Sequence, residues 1–375
     1  MITTKYGYWV VNGLPFDKKI EALRYASKHN AHVSFYYNDN VWEAYFATID
    51  RKSLGKRNLS QLYKDRADQL RDKYDYLVLY YSGGTDSHNI LRTFIDNNIK
   101  LDEVHVKWPK PLMDGKLYTP NMFDTSAFNF ASEWDFAIKP ILEYLKQYHP
   151  NIKITFSDYT EKLNTNVVEH IIEESNQYRN GAILHGYYFS NSCLTKPNVG
   201  HIYGIDKPLL IRRENKIKMI FTDTPLTLTI PPSHDPDSME LFYWTPDMPL
   251  LSIEMAYQMS EYFVENPEAI KYLWTNNNIE THDAICDFQH NIAIKICYNT
   301  WDYRFQVVKP NLAINGNDKW HWLTKHSELA SVVDCLYENR KSLFAGISDQ
   351  YLLKGGNNGD GMKACYTQGH YLRDL

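Results

Sequence analysis

Apolar positions along the chain follow two periods, and the switches between them mark out the elements. "YLVLYY" (76–81) is an unbroken apolar and aromatic run, the pattern of a strand covered on both faces. Ile90, Leu91, Phe94 and Ile95 follow at i, i+1, i+4, i+5, so a helix begins near Asp86. A second strand, "LDEVHVKW", ends at Trp108, and Pro109 and Pro111 open a long loop. "SEWDFAIKPILEYLKQY" (132–148) has helical spacing, with Pro140 placed to kink it. "IKITFS" (152–157) is a third strand, "TNVVEHIIEESNQY" (165–178) a third helix, and "GAILHG" (181–186) a fourth strand.

Strands joined by helical crossovers predict an α/β fold, a parallel sheet with helices on both faces, whose ligands bind at the carboxyl ends of the strands. Upstream, "KYGYWVVNG" and "HVSFYY" read as strands around the helix "FDKKIEALRYASKHN", with Asp17 as its expected N-cap. "IDRKSLGKRN" is a connector, and "LSQLYKDRADQLRDKY" is a helix leading into the first central strand. Beyond Asn198 the alternation is expected to fade. The proline-punctuated stretch 207–238 has room for a hairpin, and three helical patterns follow, at 249–274, 283–298 and 329–344. The glycine-rich tail, 352–375, reads as a flap or a frayed end. The expected organisation is an N-terminal α+β unit (1–58), an α/β domain (59–225) and a mostly helical C-terminal region (226–375).

Composition narrows the function. With 375 residues, 43% hydrophobic and 23% charged, the chain is long enough for an enzyme of two or three folding units. A net charge of −5, without a run of Lys or Arg, points away from nucleic acid as a partner. Five cysteines without a CxxC pair fit a reducing compartment, and no segment reads as a signal peptide or membrane span, so a soluble cytoplasmic protein is expected. The aromatic share, with 29 Tyr and 9 Trp, reads as packing.

The chemistry concentrates in "SGGTDS", Ser82 to Ser87, between the first central strand and its helix. Gly83 and Gly84 tolerate positive φ and let a ligand approach the main chain, the helix N-terminus favours an anion, and Ser82, Thr85 and Ser87 add hydroxyls. The turn lacks the lysine of a Walker A loop and the spacing of a Rossmann fingerprint. A carboxylate beside a polyphosphate is repulsive unless a divalent cation lies between them, so Asp86 reads as a Mg²⁺ ligand, the plainer reading being a helix cap.

Strand, SGGxDS and helix, followed by further parallel strands, resemble the PP-loop ATP pyrophosphatase superfamily, also called adenine nucleotide alpha hydrolase-like. The match is at Ser82, Gly83, Gly84, Asp86 and Ser87, and the resemblance covers roughly residues 74 to 186. It implies ATP and Mg²⁺ as cofactors, cleavage of ATP to AMP and PPi, and an adenylated small-molecule substrate attacked by a second nucleophile. It also implies a nucleotide site including Tyr81, Lys107 and Gly186, with adenine near the ends of the first two strands. Lys207 is expected to stabilise the leaving pyrophosphate and so joins Asp86 as a catalytic residue. Asp206 is a possible second Mg²⁺ ligand, Arg212 and Arg213 possible phosphate or substrate contacts, and His185 and Asn191 line the end of the fourth strand.

The nearest branch is an asparagine synthetase-like domain without a glutaminase. The fused glutaminase needs a cysteine after the initiator Met, where this chain has Ile2. Ammonia, an amine or a separate amidotransferase would then supply nitrogen. A sulfur-transfer or PAPS reductase-like enzyme and a non-catalytic nucleotide-binding regulator stay open as alternatives.

Overall fold

The computed structural model describes residues 7–108, 133–158, 198–204, 207–223, 239–275, 282–298, 344–353 and 361–375. At its centre lies a five-stranded parallel sheet flanked by helices. The strands are β4 (Tyr76–Tyr80), β5 (Glu103–Lys107), β6 (Lys153–Ser157), β7 (Val199–Tyr203) and β10 (Met239–Leu241), in the order β10-β7-β4-β5-β6. β4 is central and every one of its five residues is buried, as its unbroken apolar run predicts.

The first three expected central strands are β4, β5 and β6. The expected fourth strand at 181–186 and third helix at 165–178 lie outside the described residues. β7 and β10 correct the expectation that the central sheet gains no strand beyond Asn198, where the alternation was to fade. β7 pairs with β4 from Tyr76↔Val199 to Tyr80↔Tyr203, and β10 adds beyond it. The order therefore runs one way from β4 through β5 to β6 and the other way through β7 to β10. The carboxyl ends of β4 and β7 flank the point where the direction reverses, the usual ligand crevice of an open parallel sheet.

Two helices cover one side of β4. α3 (Leu59–Lys73) is N-capped by the Asn58 side chain, which accepts from the Ser60 amide. α4 (Thr85–Asp96) buries Ile90, Leu91 and Phe94, the stripe seen in the sequence. The expected helix 132–148 changes geometry just before Pro140. A π-helical turn (Glu133–Ile138) precedes the α-helix Lys139–Tyr148, and the proline sits in that helix's first turn, where its missing N–H costs nothing.

The N-terminal part forms a small antiparallel sheet, β2-β1-β3 (Leu14–Phe16, Tyr8–Val11, Val33–Tyr36), with the helix Lys19–His29 against it. Asp17 is not the N-cap of that helix. The cap position is Lys18, without a side-chain cap bond. An unanticipated helix, Asp39–Thr48, follows.

The hairpin allowed for in 207–238 is β8 (Leu209–Arg213) with β9 (Lys216–Ile220). Residues 361–375 of the tail are not frayed: β11 (His370–Asp374) pairs antiparallel with β9. It is also tied down by a buried carboxylate. Asp223 takes the Lys19 ammonium at 2.7 Å and the Trp9 indole N–H at 2.8 Å, and accepts the Cys365 amide at 3.1 Å. Among the described residues of the C-terminal region lie the helices Pro249–Glu265 and His282–Cys297 and the strands Met239–Leu241 and His370–Asp374; the expected helix at 329–344 lies outside them except for Phe344. One continuous cluster of buried apolar side chains runs from Trp9 to Leu372.

Candidate functional site

The Ser82–Ser87 turn leaves the carboxyl end of β4 and enters α4 at Thr85, with Gly84 as N-cap. Gly83 has φ +77°, and a Cβ there would come within 2.9 Å of Ile138 and 3.1 Å of Ala137, so both its conformation and its space require glycine. Gly84 departs from the expectation of positive φ: it is extended at φ −76°, and an added Cβ would meet only the Ser82 hydroxyl, at 3.3 Å. Gly84 thus supplies an open approach to the main chain instead of a special backbone angle.

The three hydroxyls divide their work. Ser87, buried, donates to the Gly84 carbonyl at 3.1 Å and accepts the Ser82 amide at 3.2 Å, which holds the turn closed. Thr85 is buried as well, and Ser82 is exposed at the mouth. A third glycine, Gly204, brings the end of β7 against the start of α4. A Cβ on it would lie 2.9 Å from the Ser87 amide nitrogen and 3.1 Å from the Asp86 carbonyl carbon.

Gly204 leads into the segment carrying Lys207, and there the structure brings together the two residues named as catalytic. The Lys207 ammonium lies 2.7 Å from both carboxylate oxygens of Asp86, across 121 positions of sequence. The lysine side chain is 6% exposed and the aspartate 20%. The Tyr298 hydroxyl, at the end of the helix His282–Cys297, donates to Asp86 Oδ1 at 2.5 Å. The Tyr243 hydroxyl donates to the Asp86 backbone carbonyl at 3.0 Å and accepts from Asn89 at 3.0 Å. Tyr63 completes an aromatic wall, with ring centroids 5.9 Å from Tyr243 and 6.3 Å from Tyr298.

Burial pushes the Asp86 carboxyl up, but the charge of Lys207, that of His290 and the hydrogen bonds from Lys207 and Tyr298 outweigh it and hold the group below the usual carboxylate range. Burial, reinforced by the Asp86 charge, pushes the Tyr298 phenol well up, so it stays a proton donor. Sequence reasoning missed Tyr243, Tyr298, Tyr63 and His290. Nothing local distinguishes these aromatics from core, and only the fold carries them to the turn.

Tyr81 and Lys107 do not meet. Tyr81 faces the α4 side, buried, with its hydroxyl 3.2 Å from His88 Nδ1. Lys107 faces the other side, its ammonium 4.7 Å from the centre of the Tyr80 ring and 5.6 Å from that of Tyr203. Burial pushes the Lys107 amine down to about 7.

That second face is unusually polar for a covered parallel sheet. Glu103 and His105 of β5 and Thr155 and Ser157 of β6 form one relay. The Thr155 hydroxyl donates to the Glu103 carboxylate and lies 2.7 Å from His105 Nδ1, while the Ser157 hydroxyl lies 2.9 Å from His105 Nε2. Burial pushes the His105 imidazole down to about 3. The Tyr80 hydroxyl reaches His201 Nδ1 at 3.0 Å on the same face.

Arg212 and Arg213 serve the hairpin and the tail: Arg212 bonds the Glu214 carbonyl at 3.0 Å and Arg213 the Gln368 carbonyl at 2.7 Å. Gly186, His185, Asn191 and Asp206 lie outside the described residues. No cluster of three or more His, Cys, Asp or Glu side chains fit to hold a metal occurs among the described residues. The donor set at the turn is one carboxylate beside a helix N-terminus. One carboxylate holds a divalent cation weakly, and phosphate oxygens would complete the shell of Mg²⁺, the ion's common mode with nucleotides.

The fold and site define an α/β protein with a glycine turn and an Asp–Lys pair at the crevice of a parallel sheet. A scan against family models and searches of curated proteins and of solved structures found no match to the chain. No helix among the described residues is long and apolar enough to cross a membrane.

Proposed function

We propose that the chain is an ATP pyrophosphatase of the PP-loop kind, with an adenine nucleotide alpha hydrolase-like fold. A substrate oxygen attacks the α-phosphorus of ATP and PPi leaves; ammonia or an amine then attacks the carbon that bears this oxygen, and AMP leaves with it. The observation that carries the reading is the meeting of Asp86 and Lys207 at the amino end of α4, beside the carboxyl ends of β4 and β7. A carboxylate alone at that place would repel a triphosphate. Beside a lysine ammonium and a row of helix amides, it becomes part of a site that can hold one.

In this reading the first-turn amides of α4 and the exposed Ser82 hydroxyl receive the β- and γ-phosphates. Gly84 lets them close on the main chain. Lys207 carries positive charge to the pyrophosphate as it leaves. Asp86, with phosphate oxygens, would hold Mg²⁺, which supplies charge neutralisation between the phosphates. The chain's contribution is alignment and electrostatic stabilisation, the usual means of catalysing displacement at phosphorus.

The test is incubation of the purified protein with Mg²⁺ and α-labelled ATP over a panel of carboxylate and amide acceptors. AMP with PPi is the expected product pair. ADP would reject the pyrophosphatase assignment, and nucleotide binding without turnover would favour the regulator.

A further inference from the structure

The contacts of Asp86 raise a question that the nucleotide reading leaves open. Its carboxylate is already neutralised: the Lys207 ammonium engages both oxygens at 2.7 Å, the place a divalent cation would take. A cation can enter only if the ammonium leaves. When it does, a carboxylate held by the lysine alone would be free to turn about its side-chain torsions.

Asp86 has a further constraint that does not depend on Lys207. Tyr298 donates to Oδ1 at 2.5 Å, and its ring packs 5.6 Å from Tyr243, which in turn bonds the Asp86 carbonyl. The phenol is fully buried and fixed by neighbours on other elements, Tyr63 among them. Lys207 differs in kind. It follows the end of β7 on a long flexible stem, and phosphate would compete with Asp86 for its charge.

We propose that Tyr298 is a positioning residue for a cation exchange at Asp86. Lys207 fills the carboxylate in the nucleotide-free chain and gives way to a divalent cation when phosphate draws it off, while the Tyr298 hydroxyl keeps the carboxylate aimed. This rests on the reading of Asp86 as a cation ligand. It adds an order to the site: Lys207 suppresses metal binding until a polyphosphate arrives, so metal and nucleotide enter together.

The experiment measures Mn²⁺ binding by water-proton relaxation, without nucleotide, for the wild-type chain and for Lys207→Met and Lys207→Gln. The effect of added ATP is then measured for each. Circular dichroism and Mn²⁺-dependent thermal shifts check that the variants are folded. Removing the competing ammonium should tighten Mn²⁺ binding about tenfold or more, because the competent, unpaired carboxylate is then the main population. Adding Asp86→Asn to Lys207→Met should abolish the gain.

Adding Tyr298→Phe to Lys207→Met should weaken Mn²⁺ binding several-fold, although lysine competition is already gone. Unchanged Mn²⁺ affinity in both lysine variants would overturn the exchange. A Tyr298→Phe background that binds Mn²⁺ as well as its parent would overturn the role of the tyrosine. If the lysine variants bind Mn²⁺ more tightly but ATP has no effect on any protein, the exchange stands and the nucleotide reading fails.

Discussion

The Asp86–Lys207 pair makes a stability prediction that needs no knowledge of the substrate. Exposed ion pairs couple by about 0.2–1 kcal/mol, whereas breaking one partner out of a fully buried pair costs about 3–5 kcal/mol. Here the lysine is 6% exposed and the aspartate 20%, with two 2.7 Å contacts, so the pair lies between these limits. Asp86→Asn strands a nearly buried ammonium and should cost about 2–3 kcal/mol. Lys207→Met leaves a carboxylate that still has Tyr298 and some water, and should cost about 1–2 kcal/mol. The double variant removes both charges, and the cycle should return a coupling of about 2 kcal/mol. Urea unfolding of the four proteins at neutral pH measures it, with constant slopes showing that the unfolding transition is comparable. Additivity to within about 0.5 kcal/mol would show that the two side chains do not interact as described.

Two further outcomes test how the site is held. Gly204→Ala would drive a methyl group into the backbone at Asp86 and Ser87, at 3.1 and 2.9 Å, so it should destabilise by about 1–3 kcal/mol and weaken ATP binding, read by calorimetry; unchanged stability and binding would show that the close approach of β7 to α4 is not needed. His105 titrates at about 3 in the folded chain, below its ordinary 6.5. The unfolded chain therefore binds the proton first, and stability is lost as pH falls from the upper toward the lower of these values. The loss from this group at pH 5 should be about 2 kcal/mol, and His105→Gln should flatten that part of the stability curve; an unchanged slope would place His105 outside the acid response.

The sequence pattern disclosed what is encoded locally. β4 with its fully apolar run, the α4 stripe and the Ser82–Ser87 turn could all be read directly, because burial on both faces, helical period and glycine conformation each leave a mark within a few residues. β7 left no such mark. Its five residues, Val199–Tyr203, include Gly200 and His201, and they are a strand because β4 offers them a parallel edge on which all five become buried. The tail misled for a related reason. Its glycines suggested fraying, but pairing with β9 and the bond of the Cys365 amide to Asp223 fix it. Asp86 stood out in the sequence because an acidic residue sits in a glycine turn at a helix N-terminus, a place that favours an anion. Its three tyrosine neighbours did not, since Tyr63, Tyr243 and Tyr298 sit on separate elements and each reads as ordinary core.

The measurement that bears most directly on the central claim is a crystal structure of the chain with Mg²⁺ and an ATP analogue that resists cleavage between the α- and β-phosphorus. The account predicts β- and γ-phosphates against the Gly84–Ser87 main chain, Mg²⁺ on Asp86, and Lys207 turned from the carboxylate to the phosphates. A nucleotide bound elsewhere, with the Asp86–Lys207 pair intact, would contradict it.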